Sequence, residues 1–361
     1  MRRIAQFRDA VGVRIASVEV IPYALPFREP YVTASGTLTQ REMVLLRLRT
    51  DDGLVGLGEA VPLSLRGGAS IAEVAAQLQS LEQRETLDEA SLGGDAAALS
   101  APARCAALTA LLDLRGKRAT AAATESPPPI RCNATLTAGD PASVVSAAER
   151  WAANGFSTFK LKLGSGDDAA QVRAVREALG PRARIRVDAN AAWDVETAKR
   201  TLGELEPYEV ELAEQPVATL EESMEVARST SIPIAGDESI ESRADAERAA
   251  AMEACRITGV KLSKVGGPEA AIEIAEVLPA YMSSALDGPV GIAAAAQVAA
   301  TWHDAAEGEG PGFVHGLATQ RLFAATVASV ECELRDGLLH LPPGPGLGVE
   351  IDEEALQAHR I

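Results

Sequence analysis

From Ile130 onward the chain repeats one pattern: a short apolar run, a loop, an amphipathic stretch, then the next apolar run. The apolar runs fall at 130–136, 156–163, 184–188, 209–214, 232–237, 257–262, 280–284 and 313–315. Helical spacing fills 142–153, 169–179, 195–205 and 220–228, and alanine-rich helices trail the later runs. Strands that alternate with helices pair in parallel through right-handed crossovers. Eight such units in about 200 residues predict a closed β/α barrel, a (β/α)7–8 TIM-type fold whose chemistry sits at the C-terminal strand ends.

The segment before Ile130 reads differently. Residues 1–12 are predicted to be a tail. Runs at 14–21, 41–49 and 54–59 predict a three-stranded meander, with Asp51-Asp52-Gly53 as a turn. Residues 27–39 are long and polar for a hairpin connection, so a functional loop is expected there. A second glycine-bearing loop is expected at 61–69, and helices at 71–81 and 101–117. Thr124-Glu125-Ser126-Pro127-Pro128-Pro129 reads as a stiff linker. The expected organisation is α/β throughout. An α+β capping domain occupies 1–125 and the barrel 126–330. A tail at 331–361 returns to the cap through Pro343-Gly344-Pro345-Gly346-Leu347-Gly348.

Aromatic residues make up 4% of the chain, so the core must be Ala, Val and Leu. A formal net charge of −17 argues against nucleic acid and anionic membranes as partners. The four cysteines include no Cys-x-x-Cys and read as thiols of a reduced compartment. The N-terminus lacks the apolar core of a signal peptide, and no run of 18 apolar residues occurs. A cytoplasmic protein is expected, with a small-molecule partner; a homo-oligomer stays open.

The chemistry is carried by the strand ends. Lys162, Asp188, Glu214, Asp237 and Lys261 are separated by 26, 26, 23 and 24 residues, one β/α unit each. Singly, each has an ordinary reading: Asp188 with Asn190, or Asp237-Glu238-Ser239, could cap a helix. Together they would converge on one mouth. Three clustered carboxylates repel unless protons or a cation intervene. All-oxygen ligation favours a hard divalent ion, Mg²⁺ or alternatively Mn²⁺. Lys160 shares a strand face with Lys162. A lysine beside a cation and a second lysine has its pKa pulled down and can act as a base. These residues point to metal-assisted removal of a proton α to a carboxylate. Arg186, on the face of Asp188, is expected to pair with a ligand carboxylate. His315 is the one histidine expected near the mouth, and Lys264, at an odd offset from Lys261, is expected on the other face.

At these residues the chain resembles the enolase superfamily, in its muconate lactonizing enzyme subgroup. The resemblance rests on Lys160-x-Lys162, Asp188-x-Asn190, Glu214-Gln215-Pro216, Asp237-Glu238-Ser239, Lys261, the helix at 110–117 and the Pro-Gly-Leu-Gly-Val-Glu ending. It implies Asp188, Glu214 and Asp237 as metal ligands and Lys162 and Lys261 as catalytic lysines on opposite faces. Lys160 would hold the substrate carboxylate. Asn190, Glu238, Ser284, Asp287 and Arg186 would bind substrate or support the site. The loops at 27–39 and 61–69 would close over the substrate. Ser283-Ser284-Ala285-Leu286-Asp287 resembles a segment of actinobacterial o-succinylbenzoate synthases, which dehydrate a cyclohexadiene carboxylate on the menaquinone route. That implies a lyase. The alternatives are a dipeptide epimerase, an N-acylamino acid racemase, a muconate cycloisomerase or a barrel that binds a metabolite without catalysis. Dipeptide epimerases carry an Asp-x-Asp where this chain has His315-Gly316-Leu317-Ala318-Thr319.

Overall fold

The computed structural model describes residues 14–63, 67–83, 88, 91–92, 94, 96–119, 127–305 and 313–361. The expected tail at 1–12 and the first half of the proline stretch lie outside them. So do parts of 61–69 and of 82–100, and the side chain of His303.

An antiparallel sheet opens the chain, with β1 (Ile15–Thr33), β2 (Gly36–Thr50) and β3 (Val55–Ala60) in sequential order. Helices α1 (Ile71–Gln79) and α2 (Ala101–Arg118) follow. α1 starts on a capping box in which Ser70 and Glu73 satisfy each other's amides. α2 packs its alanines on the sheet: Ala103, Ala106, Ala107 and Ala110 are fully buried beside Val44, Leu46 and Leu48.

The expected loop at 27–39 is not a loop. β1 and β2 run on as one long hairpin, with Tyr31 opposite Leu38 and Thr33 opposite Gly36. Tyr, Val and Thr at 31–33 favour a strand, and only the turn at 34–35 leaves it. The register slips between Pro26 and Tyr31, where Pro26 and Pro30 have no amide to give to the ladder.

The chain then enters the barrel. β4 (Ile130–Arg131) and β5 (Ala134–Leu136) lie on either side of a switch between sheets. Next come α3 (Pro141–Ala152), β6 (Thr158–Lys162), α4 (Asp168–Leu179), β7 (Arg184–Asp188), α5 (Val195–Leu205), β8 (Val210–Glu214) and α6 (Leu220–Ala227). β9 (Ile234–Gly236), α7 (Arg243–Ala251), β10 (Ile257–Val260), α8 (Leu262–Val265), α9 (Pro268–Ala275), β11 (Ala280–Met282) and α10 (Pro289–Ala305) complete it. Asp140, Asp167, Asp194, Thr219 and Ser242 each accept the third amide of the helix they begin. Local chemistry thus stops each loop and starts each helix.

β5 to β11 form one parallel sheet in sequence order. Its ends meet through the expected eighth run. His315 accepts from the Asn133 amide and donates to Arg131, and Gly316 donates to Met282 and accepts from Ser284. The His315 ring supports the same seam, accepting at Nδ1 from the Met282 amide at 2.9 Å. The fold is therefore the expected TIM-type barrel under a separate capping sheet. Its core is aliphatic; Ile185, Val187, Leu161 and Leu202 are almost wholly buried.

The remaining strands, β12 (Ala328–Val330), β13 (Glu333–Arg335), β14 (Leu338–His340) and β15 (Glu350–Ile351), precede the final helix α11 (Glu353–His359). β14 pairs with β4, and β12 with β15. Leu347 donates its amide to Asp113 on α2 at 2.7 Å, and Ile361 donates to Pro22 on β1.

Candidate active site

β6, β7 and β8 place Lys162, Asp188 and Glu214 in one row, since Lys162 is the neighbour of Asp188 and Asp188 of Glu214. Glu214 neighbours Ala235, so Asp237, two residues on, continues the same face. Lys160 lies one step below Lys162. Lys261 follows β10 directly.

Oxygens of Asp188, Glu214 and Asp237, all three wholly buried, lie within 4.8 Å of one another. Lys160 Nζ bridges two of them, at 2.8 Å from Asp188 Oδ2 and 2.6 Å from Glu214 Oε2. Lys162 Nζ donates to Asp188 Oδ2 at 2.6 Å and to Asn190 Oδ1 at 2.9 Å. Lys261 donates to Asp237 Oδ2. Buried ammoniums and carboxylates on this scale survive only as a paired network.

The carboxylates act strongly on the lysines. Burial pulls Lys160 down, but Asp188 and Glu214 outweigh it and hold Lys160 well above its ordinary value. Lys162 is likewise raised: burial lowers it, and Asp188, with Tyr31 and Glu214, together more than compensate. The sequence reading expected a lowered lysine because it assigned the carboxylate charge to a cation; here the lysines themselves sit on those oxygens. Burial raises Asp188 too, but Lys160, Lys162 and Lys261 together bring it below the carboxylate range. Glu214 moves the other way, raised by burial and by Asp188 and Asp237 against Lys160.

The trio fits a hard divalent cation. It offers only carboxylate oxygens at close quarters, and Glu214 Oε1 is buried with no hydrogen-bond partner. Such an orphaned acceptor is costly unless something outside the chain engages it.

Several neighbours were legible in type but not in role. Asn190, at φ 49°, receives Lys162 and donates Nδ2 to Glu238 Oε1 at 3.1 Å. Gln215 Oε1 accepts the amides of Asp237 and Ser239 and so aims the Asp237 strand end. Arg186 does not pair with a ligand carboxylate. It donates to Glu211 at 2.6 Å and to the Val314 carbonyl at 2.7 Å, and its guanidinium lies over the Tyr281 ring. The reason is depth: two residues before Asp188, it lies one layer below the carboxylates. Tyr281, absent from the sequence reading, donates its hydroxyl to Glu214 Oε2.

Lys264 corrects a further expectation. It was assigned to the opposite face by strand parity, but the strand stops at Val260 and 262–265 form a helical turn. The turn swings Lys264 back, and its Nζ reaches Asp237 Oδ1 at 3.0 Å. Gly266 and Gly267, which end the turn at φ 91° and 127°, were the available signal.

Above this layer lies a cavity of about 510 Å³. Lys160, Lys162, Lys261 and Lys264 line it from the barrel, with Asn190, Glu238, Ser283 and Ser284. The hairpin tip contributes Tyr31, Thr33, Ser35 and Leu38, and the expected second loop contributes Leu63 and Gly68. Asp287 does not face the cavity. It holds Ser284 in place, accepting from Ser284 Oγ at 2.7 Å and from the Ala285 amide at 2.8 Å. Among the described residues, no helix is long and apolar enough to cross a membrane.

Comparison with known proteins agrees with this geometry. Residues 143–355 match the enolase C-terminal domain-like family, and residues 15–125 match the mandelate racemase / muconate lactonizing enzyme N-terminal domain. The chain is 42% identical to an o-succinylbenzoate synthase of Thermobifida fusca over 212 residues, 56% of this chain and 64% of that relative. It is 30% identical to muconate cycloisomerase 1-2 of Acinetobacter lwoffii over 97% of this chain and 96% of that one. The structure superimposes on a muconate lactonizing enzyme from Pseudomonas fluorescens, complexed with muconolactone, with a TM-score of 0.87 at 28% identity. That match covers 97% of this chain and 100% of the other. The chain therefore belongs to the enolase superfamily of enzymes, in its muconate lactonizing enzyme subgroup.

Proposed function

We propose that this enzyme removes the proton α to a carboxylate in a Mg²⁺-dependent reaction and, in its own case, dehydrates a cyclohexadiene carboxylate to o-succinylbenzoate. The observation that carries the half-reaction is the pair Lys162 and Lys261, which face one cavity from β6 and from the end of β10, with three strands between them, over the buried carboxylate trio.

In this reading Asp188, Glu214 and Asp237 hold the metal. Bound there, Mg²⁺ would stabilise negative charge growing on the substrate carboxylate and would lower the lysines beside it. Lys160 orients that carboxylate. Lys162 takes the α-proton and then delivers it to the departing hydroxyl on the same face. One C–H and one C–O bond break, a C=C bond forms, and water leaves. Lys261 lends its charge to the opposite face of the ring. The hairpin tip shields the reacting atoms from solvent, and residues 1–125 with 331–361 act as the cap on a catalytic unit at 126–330.

Two observations support the dehydration. The relative of highest identity quoted above is a synthase of that name, and Ser283, Ser284, Ala285 and Leu286 line the cavity beside the lysines. Among the described residues, the eighth-strand side offers Gly316 and Thr319 to the cavity, and no carboxylate there to hold the ammonium of a dipeptide. A second reading, muconate cycloisomerisation, is favoured by the full-length match to such enzymes. Mixing the protein with Mg²⁺ and the cyclohexadiene precursor tests the choice. Loss of diene absorbance at around 1–1000 turnovers per second, abolished by chelator, is the expected result. No turnover of the diene, with turnover of muconate, would move the assignment to the second reading.

A further inference from the structure

Glu59 is the penultimate residue of β3 in the capping sheet, yet its carboxyl group is buried against the barrel, 1% exposed. Tyr23 on β1 donates its hydroxyl to Oε2 at 2.8 Å. The Gly288 amide, across the domain junction, donates to Oε1 at 2.6 Å, and the Gly291 amide also faces the carboxyl. Gly288 and Gly291 open α10, a 17-residue helix. Glu59 thus does from another sheet what an N-cap residue does locally: it satisfies amides at a helix start.

The fit is close. A Cβ on Gly288 would collide with the Tyr23 hydroxyl and stand 2.7 Å from Glu59 Oε2. One on Gly291 would stand 2.8 Å from Glu59 Oε1. Only glycine lets the carboxyl approach. Arg41 on β2 adds a second tie, donating to the Ala285 carbonyl at 3.0 Å and to Pro62 at 2.9 Å. Between these ties lies 283–288, whose Ser283, Ser284, Ala285 and Leu286 form one wall of the cavity. Leu286 within it is held at φ 66°, a conformation that costs energy in a bulky residue and persists only where neighbours enforce it.

We propose that Glu59 is a positioning residue, a cross-sheet latch that clamps the seventh-strand segment 283–288 and thereby sets the wall against which substrate is held. The latch deepens the proposed function, and its consequence for substrate rests on that reading. Tyr23, Asp287 and Cys105 face it; Arg41 acts on Asp287, and Glu331 on Tyr23. Burial and then Asp287 push Glu59 up to about 8, against the lowering by the Tyr23 hydroxyl and the Gly288 and Gly291 amides. A neutral amide of the same shape should replace it.

Two arms test this on the full-length protein. Hydrogen–deuterium exchange needs no substrate. Glu59→Ala should speed exchange of amides 283–292 by about tenfold or more, the loss of an ordinary cap, while 158–162 and 184–188 stay unchanged. Glu59→Gln should match the wild type. Tyr23→Phe, which removes one hydroxyl, should give a smaller local rise and serves if Glu59→Ala does not fold. Kinetics with the cyclohexadiene substrate should show KM raised about tenfold in Glu59→Ala with kcat within about threefold, and recovery in Glu59→Gln. Unchanged exchange at 283–292, an equal rise throughout the barrel, or Glu59→Gln behaving as Glu59→Ala would each overturn the latch. Wild-type protein inert toward the diene would overturn the proposed function instead, with the latch still decided by exchange.

Discussion

Lys162 and Asp188 meet at 2.6 Å and stand 26 residues apart in the chain; Glu59 and Gly288 also meet at 2.6 Å, but stand 229 apart. The first contact belongs to the cavity floor and the second to its wall. The floor is ionic and built on adjacent parallel strands, so each member is one β/α unit from the next. The wall joins two sheets through a hydroxyl, a carboxyl, a guanidinium and backbone groups. Strand register places the floor residues side by side, the kind of fixed geometry proton transfer needs. The wall depends on how the capping sheet docks, so it can vary while the floor stays constant. On the proposed function, the floor would supply the proton transfer and the wall the fit.

Substitutions can break that division. The largest effect is expected on the floor. Lys162→Ala should cut exchange of the substrate α-proton with deuterated buffer by about 10²–10⁴-fold, the usual worth of a general base, with the circular dichroism spectrum retained. Exchange at the wild-type rate would assign the base to Lys261 or another group. Next, Asp188→Asn and Glu214→Gln should weaken Mg²⁺ binding, read by calorimetric titration, by more than the roughly 10–100-fold that outer partners of a metal cost. Equal affinity in both variants would remove the metal from this trio.

The wall should respond to pH through stability. Glu59 ordinarily titrates near 4.5 and is raised to about 8 in the fold. The folded protein therefore holds this proton more tightly than the unfolded chain. The associated stability is fully present below pH 4.5 and declines as pH rises through about 8, by a few kcal/mol at most. Urea unfolding from pH 5 to 9 should show the decline in the wild type and a flatter profile in Glu59→Gln; parallel profiles would mean that Glu59 does not carry the effect. The smallest effect is expected at the hairpin tip. Leu38→Ala should raise KM severalfold, about 1 kcal/mol of lost apolar contact, and leave kcat within about twofold. A fall in kcat of the size seen for Lys162→Ala would place the tip in the chemistry and erase the distinction.

Much of the floor was legible in the chain. The strand–helix alternation and the spacing of Lys162, Asp188, Glu214, Asp237 and Lys261 anticipated the barrel and the row of side chains it brings together. The misses share one cause: parity and loop length were extended past the point where the backbone changed state. Lys264 was sent to the wrong face because β10 ends before Lys261 and the next residues turn into a helix. Residues 27–39 read as a loop because prolines and charges interrupt a strand that nonetheless continues through a register slip. Arg186 was placed by face and not by depth, which the alternation of a strand does not report.

By itself, then, the sequence determined what is local: which segments are strands, where helices start, and which ionisable residues end each strand. Those features depend on periodicity of two or 3.6 residues and on caps three residues away. The tertiary structure alone decided that Tyr281 reaches Glu214, that Lys160 bridges two carboxylates, and that Glu59 meets Gly288. Burial and proximity between distant segments come from packing two sheets and a ring of helices, and no short-range pattern encodes which far residue will face which.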